Sequence, residues 1–96
     1  MKVWSKEREK IEVVIARVQR MERYLDEVLE FVEKYPNKVK QDRNIQDKWK
    51  VLIDYYENGK WLADYECDER GELPKDLKRG VLAEDTLYNL IAELEE

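Results

Sequence analysis

Apolar residues in the first third of the chain recur every three or four positions, which is the spacing of one face of an α-helix. These positions are Ile11, Val14, Val18, Met21, Leu25, Val28, Val32 and Tyr35. The alternation of threes and fours continues for more than three heptads and predicts one long helix over about residues 5–35. Pro36 ends it, because proline disfavours helical backbone in the residue before it.

Further apolar patterns predict shorter helices. A second helix over about residues 39–57 has one apolar face, formed by Ile45, Trp49, Leu52, Ile53 and Tyr56. Asn58-Gly59 is expected to form the C-cap of this helix or a sharp kink. A third, short helix then contains Trp61, Leu62 and Tyr65 and ends at Arg70-Gly71. Pro74 and Gly80 bracket one or two further helical turns. The last helix has Leu87, Leu90, Ile91 and Leu94 on one face.

No segment alternates apolar and polar residues as a strand would. The predicted fold class is therefore all-α: a small helical bundle with one long N-terminal helix and three to four shorter helices. At 96 residues the chain is expected to form a single helical domain, residues 1–96, with a modest core. Residues 60–95 form its last part, in which carboxylates are densest.

Cysteine content and hydropathy bear on the compartment. Cys67 is the single cysteine, so no internal disulfide can form, and a reducing environment is expected. The sequence contains neither a run of about 18 apolar residues nor the apolar region of a signal peptide. These features predict a cytoplasmic protein that makes no membrane contact.

Charge differs between the two halves of the chain. Residues 1–50 carry 13 Lys and Arg against 10 Asp and Glu, a net +3, whereas residues 51–96 carry 5 against 13, a net −8. Binding to nucleic acid depends mainly on cationic contacts to phosphate. The acidic second half therefore indicates a protein partner, and we expect no direct nucleic-acid binding.

The length of the first helix predicts self-association. From Lys6 to Tyr35 it would extend about 45 Å, whereas a compact domain of this size is roughly 32 Å across. An overhanging or bent helix is one outcome, and a partner helix from a second chain is the one favoured here. The predicted homodimer stripe consists of Ile11, Val14, Val18, Met21 and Leu25.

The residue types needed for catalysis are scarce. The chain has no His, and its one Ser is Ser5. The thiolate of Cys67 should be suppressed by the neighbouring carboxylates Glu66, Asp68 and Glu69. These observations predict a chain without catalytic residues and without a cofactor.

A carboxylate cluster raises the question of a hard metal ion, and its members are Asp64, Glu66, Asp68, Glu69 and Glu72. Counted from Asp64, however, the sixth position of a calcium loop is Glu69 instead of Gly, and the twelfth is Lys75 instead of Glu. A solvated helix face with ion pairs to Lys75, Lys78 or Arg79 is the favoured interpretation, and no metal ligands are assigned.

Aromatic residues lie among these acids. Tyr55 and Tyr56 cannot both face the core of one helix, and Tyr55 is the one outside the apolar stripe. An exposed aromatic beside carboxylates is typical of a protein interface. The predicted protein-binding patch consists of Tyr55, Trp61, Asp64, Tyr65, Asp68 and Glu69.

Residues 61–90, WLADYECDERGELPKDLKRGVLAEDTLYNL, resemble a family of small bacterial and phage-associated proteins known only as a domain of unknown function. The family pattern is close to WLxDYExDExGxLPxDLKRGVLSEDxLYxLL, and Met21-Glu22 and Tyr55-Tyr56 also resemble family features. Ala83 stands where the family usually has Ser, which forgoes about 1 kcal/mol of helix capping. The resemblance implies an α-helical fold and brings no activity, substrate or cofactor.

Together these observations predict a non-enzymatic protein-interaction module. The phage association of the family suggests that it inhibits a host or defence protein. Two alternatives stay open: an acidic nucleic-acid mimic, and a hydrolase that uses a carboxylate-bound divalent metal.

Overall fold

The structure of the protein, a computed structural model, describes residues 9–95. Within that range the chain forms four α-helices: α1, Ile11–Lys34; α2, Arg43–Glu57; α3, Lys60–Glu69; and α4, Thr86–Leu94. Two 3-10 helices, Pro36–Lys38 and Gly80–Leu82, lie in the connections. The described residues contain no strand. The predicted all-α bundle, with a long N-terminal helix and three shorter ones, is confirmed.

Helix α1 is shorter than predicted. Glu9 and Lys10 precede it outside the helix, and the predicted start at residues 5–8 lies outside the described residues. The helix ends at Lys34, where the amide of Tyr35 donates to the carbonyl of Phe31 at 2.7 Å. Twenty-four residues give a length of about 36 Å. The described chain measures 49 × 29 × 21 Å, so α1 lies within the length of the molecule.

The predicted start of the second helix at residue 39 is wrong, and Asp42 supplies the reason. The Asp42 carboxylate accepts a hydrogen bond from the amide of Ile45 at 2.9 Å, which is the N-cap arrangement. The preceding residues form a turn in which the carbonyl of Lys38 accepts from the amides of Gln41 and Asp42. Helix α2 therefore begins at Arg43, while its predicted end at Glu57 is confirmed.

Glycines mark both ends of α3 as predicted. Gly59 has a φ of +95° and Gly71 a φ of +76°, a region that glycine enters without the steric cost of a Cβ. Gly59 allows α3 to begin directly after α2, with one turn residue between Asn58 and Lys60. Gly71 follows the C-cap residue Arg70.

The predicted helical turns between Pro74 and Arg79 are not formed. This part of the chain contains a turn in which the amide of Leu77 donates to the carbonyl of Pro74 at 3.2 Å. The Arg79 guanidinium donates to the carbonyls of Pro74 and Leu77. Arg79 thus satisfies carbonyls that a helix would pair with backbone amides, and Leu77 is buried in the core.

The core of the molecule lies between α1 and the rest of the chain. Helix α1 packs against α2 and against the Gly80–Leu82 turn, and α4 packs against both α2 and that turn. Core side chains from the other elements include Trp49, Leu52, Val81, Leu82 and Leu87.

The predicted homodimer stripe belongs to this core. Val14, Val18, Met21 and Leu25 are buried within the single chain, and Ile11 is half-buried against the same cluster. Their apolar area is covered by the chain's own elements, since α1 packs on α2 and on the Gly80–Leu82 turn. Four of the five stripe residues therefore have almost no surface left for a second chain.

No helix among residues 9–95 is both long enough and apolar enough to cross a membrane.

Candidate interaction surface

The structure divides the predicted protein-binding patch between interior and surface. Tyr55, Trp61 and Asp64 are buried. Tyr65 and Asp68 are half-buried, and Glu69 is exposed. The expected exposure of Tyr55 is wrong: its side chain is 4% exposed, and Tyr56 is half-buried. A buried tyrosine needs a partner for its hydroxyl, and Asp64 on the neighbouring helix supplies one.

Asp64 is the centre of a buried ionic network. Its side chain is 1% exposed. Arg17 of α1 donates to it twice, from Nε to Oδ2 at 2.9 Å and from Nη2 to Oδ1 at 2.5 Å. The Tyr55 hydroxyl donates to Oδ2 at 2.7 Å. Three donors from α1 and α2 thus compensate the desolvation of the carboxylate on α3, as a buried charge requires.

The same arginine holds the residue before α1. Arg17 donates to both carboxylate oxygens of Glu9, at 2.8 and 2.5 Å. The hydrogen bond from Arg17 is the main reason that the pKa of Glu9 falls to about 2. The pKa of Arg17 is raised, first by Asp64 and then by Glu9. The pKa of Tyr55 is raised as well, chiefly by burial and then by its bond to Asp64. Arg17 therefore stays charged and Tyr55 stays protonated.

Sequence reasoning missed Arg17. Its signal was available, since Arg17 is three residues after Val14 and four before Met21, on the edge of the buried stripe of α1. A cation at that position needs a buried or half-buried anion near it. Nothing in the sequence says that the anion is Asp64, 47 residues away.

A second group of contacts, which we call the Val81 clasp, joins Glu22, Trp61, Gly80 and Val81. The buried Glu22 carboxylate, 8% exposed, accepts from the amide of Val81 at 2.8 Å. The Trp61 indole donates to the carbonyl of Val81 at 2.9 Å. A Cβ on Gly80 would lie 3.0 Å from Glu22 Oε2. The Val81 clasp therefore fixes the segment after α3 against α1, and a side chain at position 80 would crowd the Glu22 carboxylate.

Other polar residues of the acidic segment pair inside the chain. Arg79 forms an ion pair with Asp68, which confirms that predicted pairing, and Arg70 pairs with Glu72 at 3.0 Å. Cys67 is buried, and its thiol donates to Glu72 Oε1 at 3.3 Å. The pKa of Cys67 is raised as predicted, but the causes are burial and then Glu72, not Glu66, Asp68 and Glu69.

No three His, Cys, Asp or Glu side chains in the described part of the chain are arranged to hold a metal ion.

A small surface, which we call the Tyr65 surface, consists of the exposed Leu62 and Glu69 and the half-buried Tyr65 of α3, together with the exposed Glu84 from the segment before α4. Leu62 is 50% exposed. The Tyr65 ring stacks on Trp61 at a centroid distance of 5.1 Å and an interplanar angle of 16°. The Tyr56 ring also contacts Trp61, at a centroid distance of 5.2 Å. The pKa of Tyr65 is raised, mainly by the negative charge of Glu69 and then by that of Glu84.

The family model for the Domain of unknown function (DUF4298) matches residues 18–96. The chain belongs to this family. The predicted family membership is thereby confirmed. The match includes the Val81 clasp and the Tyr65 surface, whereas Glu9 and Arg17 precede it. No curated protein and no solved structure matches the chain.

Proposed function

We propose that this DUF4298 member is a non-enzymatic protein-interaction module that binds its partner through the Tyr65 surface. The observation that carries the proposal is the half-exposed Leu62 and the half-buried Tyr65, which lie beside two exposed acidic residues, Glu69 and Glu84. No ion pair occupies these two acids within residues 9–95. Tyrosine is enriched at protein interfaces, where an apolar ring and a polar hydroxyl are used together.

The remaining polar residues of the acidic segment support a binding role over a chemical one. Asp64, Glu22 and Asp68 each contact a donor from another part of the chain and hold two elements together. Because these carboxylates already contact donors of the same chain, they have a structural role. The Tyr65 surface presents an aromatic ring, an apolar side chain and negative charge, which are features that a protein partner can bind.

The module we propose acts as a monomer. The stripe predicted to form a homodimer is buried in the core of one chain, so the interface belongs to the Tyr65 surface and a different protein. Inhibition of a host or defence protein is one outcome of such binding, because a partner covered at this surface would lose access to its own ligands.

The acidic nucleic-acid mimic has weaker support. A mimic needs an array of unpaired negative charges, whereas Asp64, Asp68 and Glu72 pair with arginines of the same chain. The half-buried Tyr65 and the half-exposed Leu62 of the Tyr65 surface favour a protein partner instead.

Site-specific photo-crosslinking tests the proposal. A photoreactive phenylalanine in place of Leu62 is expected to form an adduct with a partner protein in a lysate of the cells that produce the protein. Leu29, 41% exposed on α1, is the matched control position for the same substitution. An adduct specific to position 62 supports the proposal. Absence of an adduct there, or the same adducts at position 29, contradicts it.

A further inference from the structure

We propose that the segment bound at the Tyr65 surface is basic and carries arginine side chains. This inference rests on the proposed function and adds the chemistry of the partner. It is drawn from the charges that the fold leaves unpaired and from the rigid aromatic ring among them.

The negative charge at this surface is not neutralised by nearby cations of the described chain. Arg79 is paired with Asp68, Arg70 with Glu72, and Lys60 lies 3.5 Å from Glu9. Glu69 and Glu84 are exposed and act together on the Tyr65 hydroxyl. A cation brought by a partner would therefore meet two carboxylates that form no ion pair within residues 9–95, although Glu69 is hydrogen-bonded to Tyr65.

The aromatic ring selects among cations. Tyr65 is held by its stack on Trp61, so a partner does not have to order it on binding. A guanidinium can lie against an aromatic ring and donate to a carboxylate at the same time, in a planar fork that an ammonium lacks. The half-exposed Leu62 provides apolar area for the stem of such a side chain.

The chain has its own basic turn, which is the competing occupant. Lys38, Lys40 and Arg43 are exposed near the half-exposed Tyr35. In a second copy of the chain this turn could fill the Tyr65 surface. The experiment below is designed to recognise that case.

The probe is a fluorescein-labelled hexa-arginine peptide, and binding is followed by fluorescence anisotropy at about 0.05 and 0.5 M NaCl, where screening lengths differ several-fold. Hexa-lysine and hexa-glutamate peptides of the same length are the comparisons. We expect the arginine peptide to bind most tightly, the lysine peptide several-fold more weakly, and the glutamate peptide not at all. Binding should weaken at the higher salt concentration.

The double variant Glu69→Gln with Glu84→Gln is expected to weaken binding of hexa-arginine about tenfold, since two exposed charge pairs contribute roughly 0.7 kcal/mol each. The matched control is Glu33→Gln with Glu93→Gln, which makes the same change in net charge at exposed positions outside the Tyr65 surface. The control should change the affinity less than about twofold. Melting followed by circular dichroism verifies that both variants fold.

Three results would overturn the inference. One is equal loss of affinity in both double variants, which would indicate attraction to net charge alone. Another is equal affinity for the arginine and lysine peptides that is unchanged in the double variant Glu69→Gln with Glu84→Gln. The third is a rise in mass with concentration that this double variant abolishes, which would assign the surface to a second copy.

Failure of this inference can be distinguished from failure of the proposed function. An adduct specific to position 62, together with no preference for the arginine peptide, would keep the Tyr65 surface as the binding site and reject only a basic partner. No adduct at position 62 would reject the surface itself.

Discussion

At the scale of single residues, Asp64 shows how the surroundings decide what a carboxylate does. In the sequence it is one of several acids in a charged segment, and a place on a binding patch is a reasonable prediction. In the fold it is buried among Arg17 and Tyr55 and links three helices. Its partners come from 47 and 9 residues away, so its role depends on how the helices pack.

Asp64→Asn is expected to lower the free energy of unfolding by roughly 3 kcal/mol, because removal of one partner leaves the buried Arg17 without its full compensation. The measurement is urea denaturation followed by circular dichroism. Asp76→Asn is the matched control, since Asp76 is exposed. Equal stability of the two variants would show that the network of Arg17 and Asp64 contributes little to the fold.

At the scale of elements, the segment between α3 and α4 is ordered without an α-helix. Its fixed points are the Val81 clasp and Arg79, which together satisfy backbone groups that a helix would have paired. Buried side chains at Leu73, Leu77, Val81 and Leu82 anchor it to the core. Side-chain hydrogen bonds to the backbone thus replace local helical ones in this segment.

Gly80→Ala tests the Val81 clasp. The new Cβ would lie 3.0 Å from Glu22 Oε2 and displace the carboxylate that bonds to Val81, so we expect a loss of about 1 kcal/mol in unfolding free energy. In a Glu22→Ala background the same change should be neutral or slightly stabilising, because alanine restricts the unfolded chain.

This double-mutant cycle is measured by chemical denaturation of the four proteins. If Gly80→Ala changes the unfolding free energy equally in both backgrounds, the contact between a Cβ at position 80 and the Glu22 carboxylate is not the cause of the loss.

At the scale of the whole molecule, the packing of α1 decides whether its apolar face is covered within one chain or by a second chain. The heptad pattern of α1 is compatible with a partner helix from another chain or from the same one. The structure fills the stripe with α2 and with residues 80–82, and the molecule is elongated, with a radius of gyration of 14.6 Å. Four of the five residues of the predicted homodimer stripe are therefore buried within one chain.

Light scattering coupled to size-exclusion chromatography is expected to give a mass near 11.7 kDa across a concentration series, because four of the five residues of the predicted homodimer stripe are buried within one chain and are not available to a second one. The double variant Glu69→Gln with Glu84→Gln is the control for association through the Tyr65 surface. A mass near twice this value at all concentrations would contradict the monomer and support the predicted homodimer through another surface.

The sequence predicted a long N-terminal helix followed by shorter helices, because helix formation depends on local periodicity and on terminating residues. Gly59 and Gly71 marked helix ends correctly, since their positive φ is a local property. The start of α2 was missed because Asp42 caps it from within a predicted helix. The turns at Pro74–Arg79 were mispredicted because Arg79 bonds across the segment.

By itself the sequence determined an all-α chain, its family and its uneven charge, because periodicity, a family pattern and composition are all contained in the order of residues. Only the tertiary structure decided which polar residues are interior and which face is open. Asp64 and Glu22 are buried because distant donors, Arg17 and the Val81 amide, are brought to them by packing. Glu69 and Glu84 lie on the surface without an ion pair in the described chain, while Arg70 and Arg79 pair with Glu72 and Asp68.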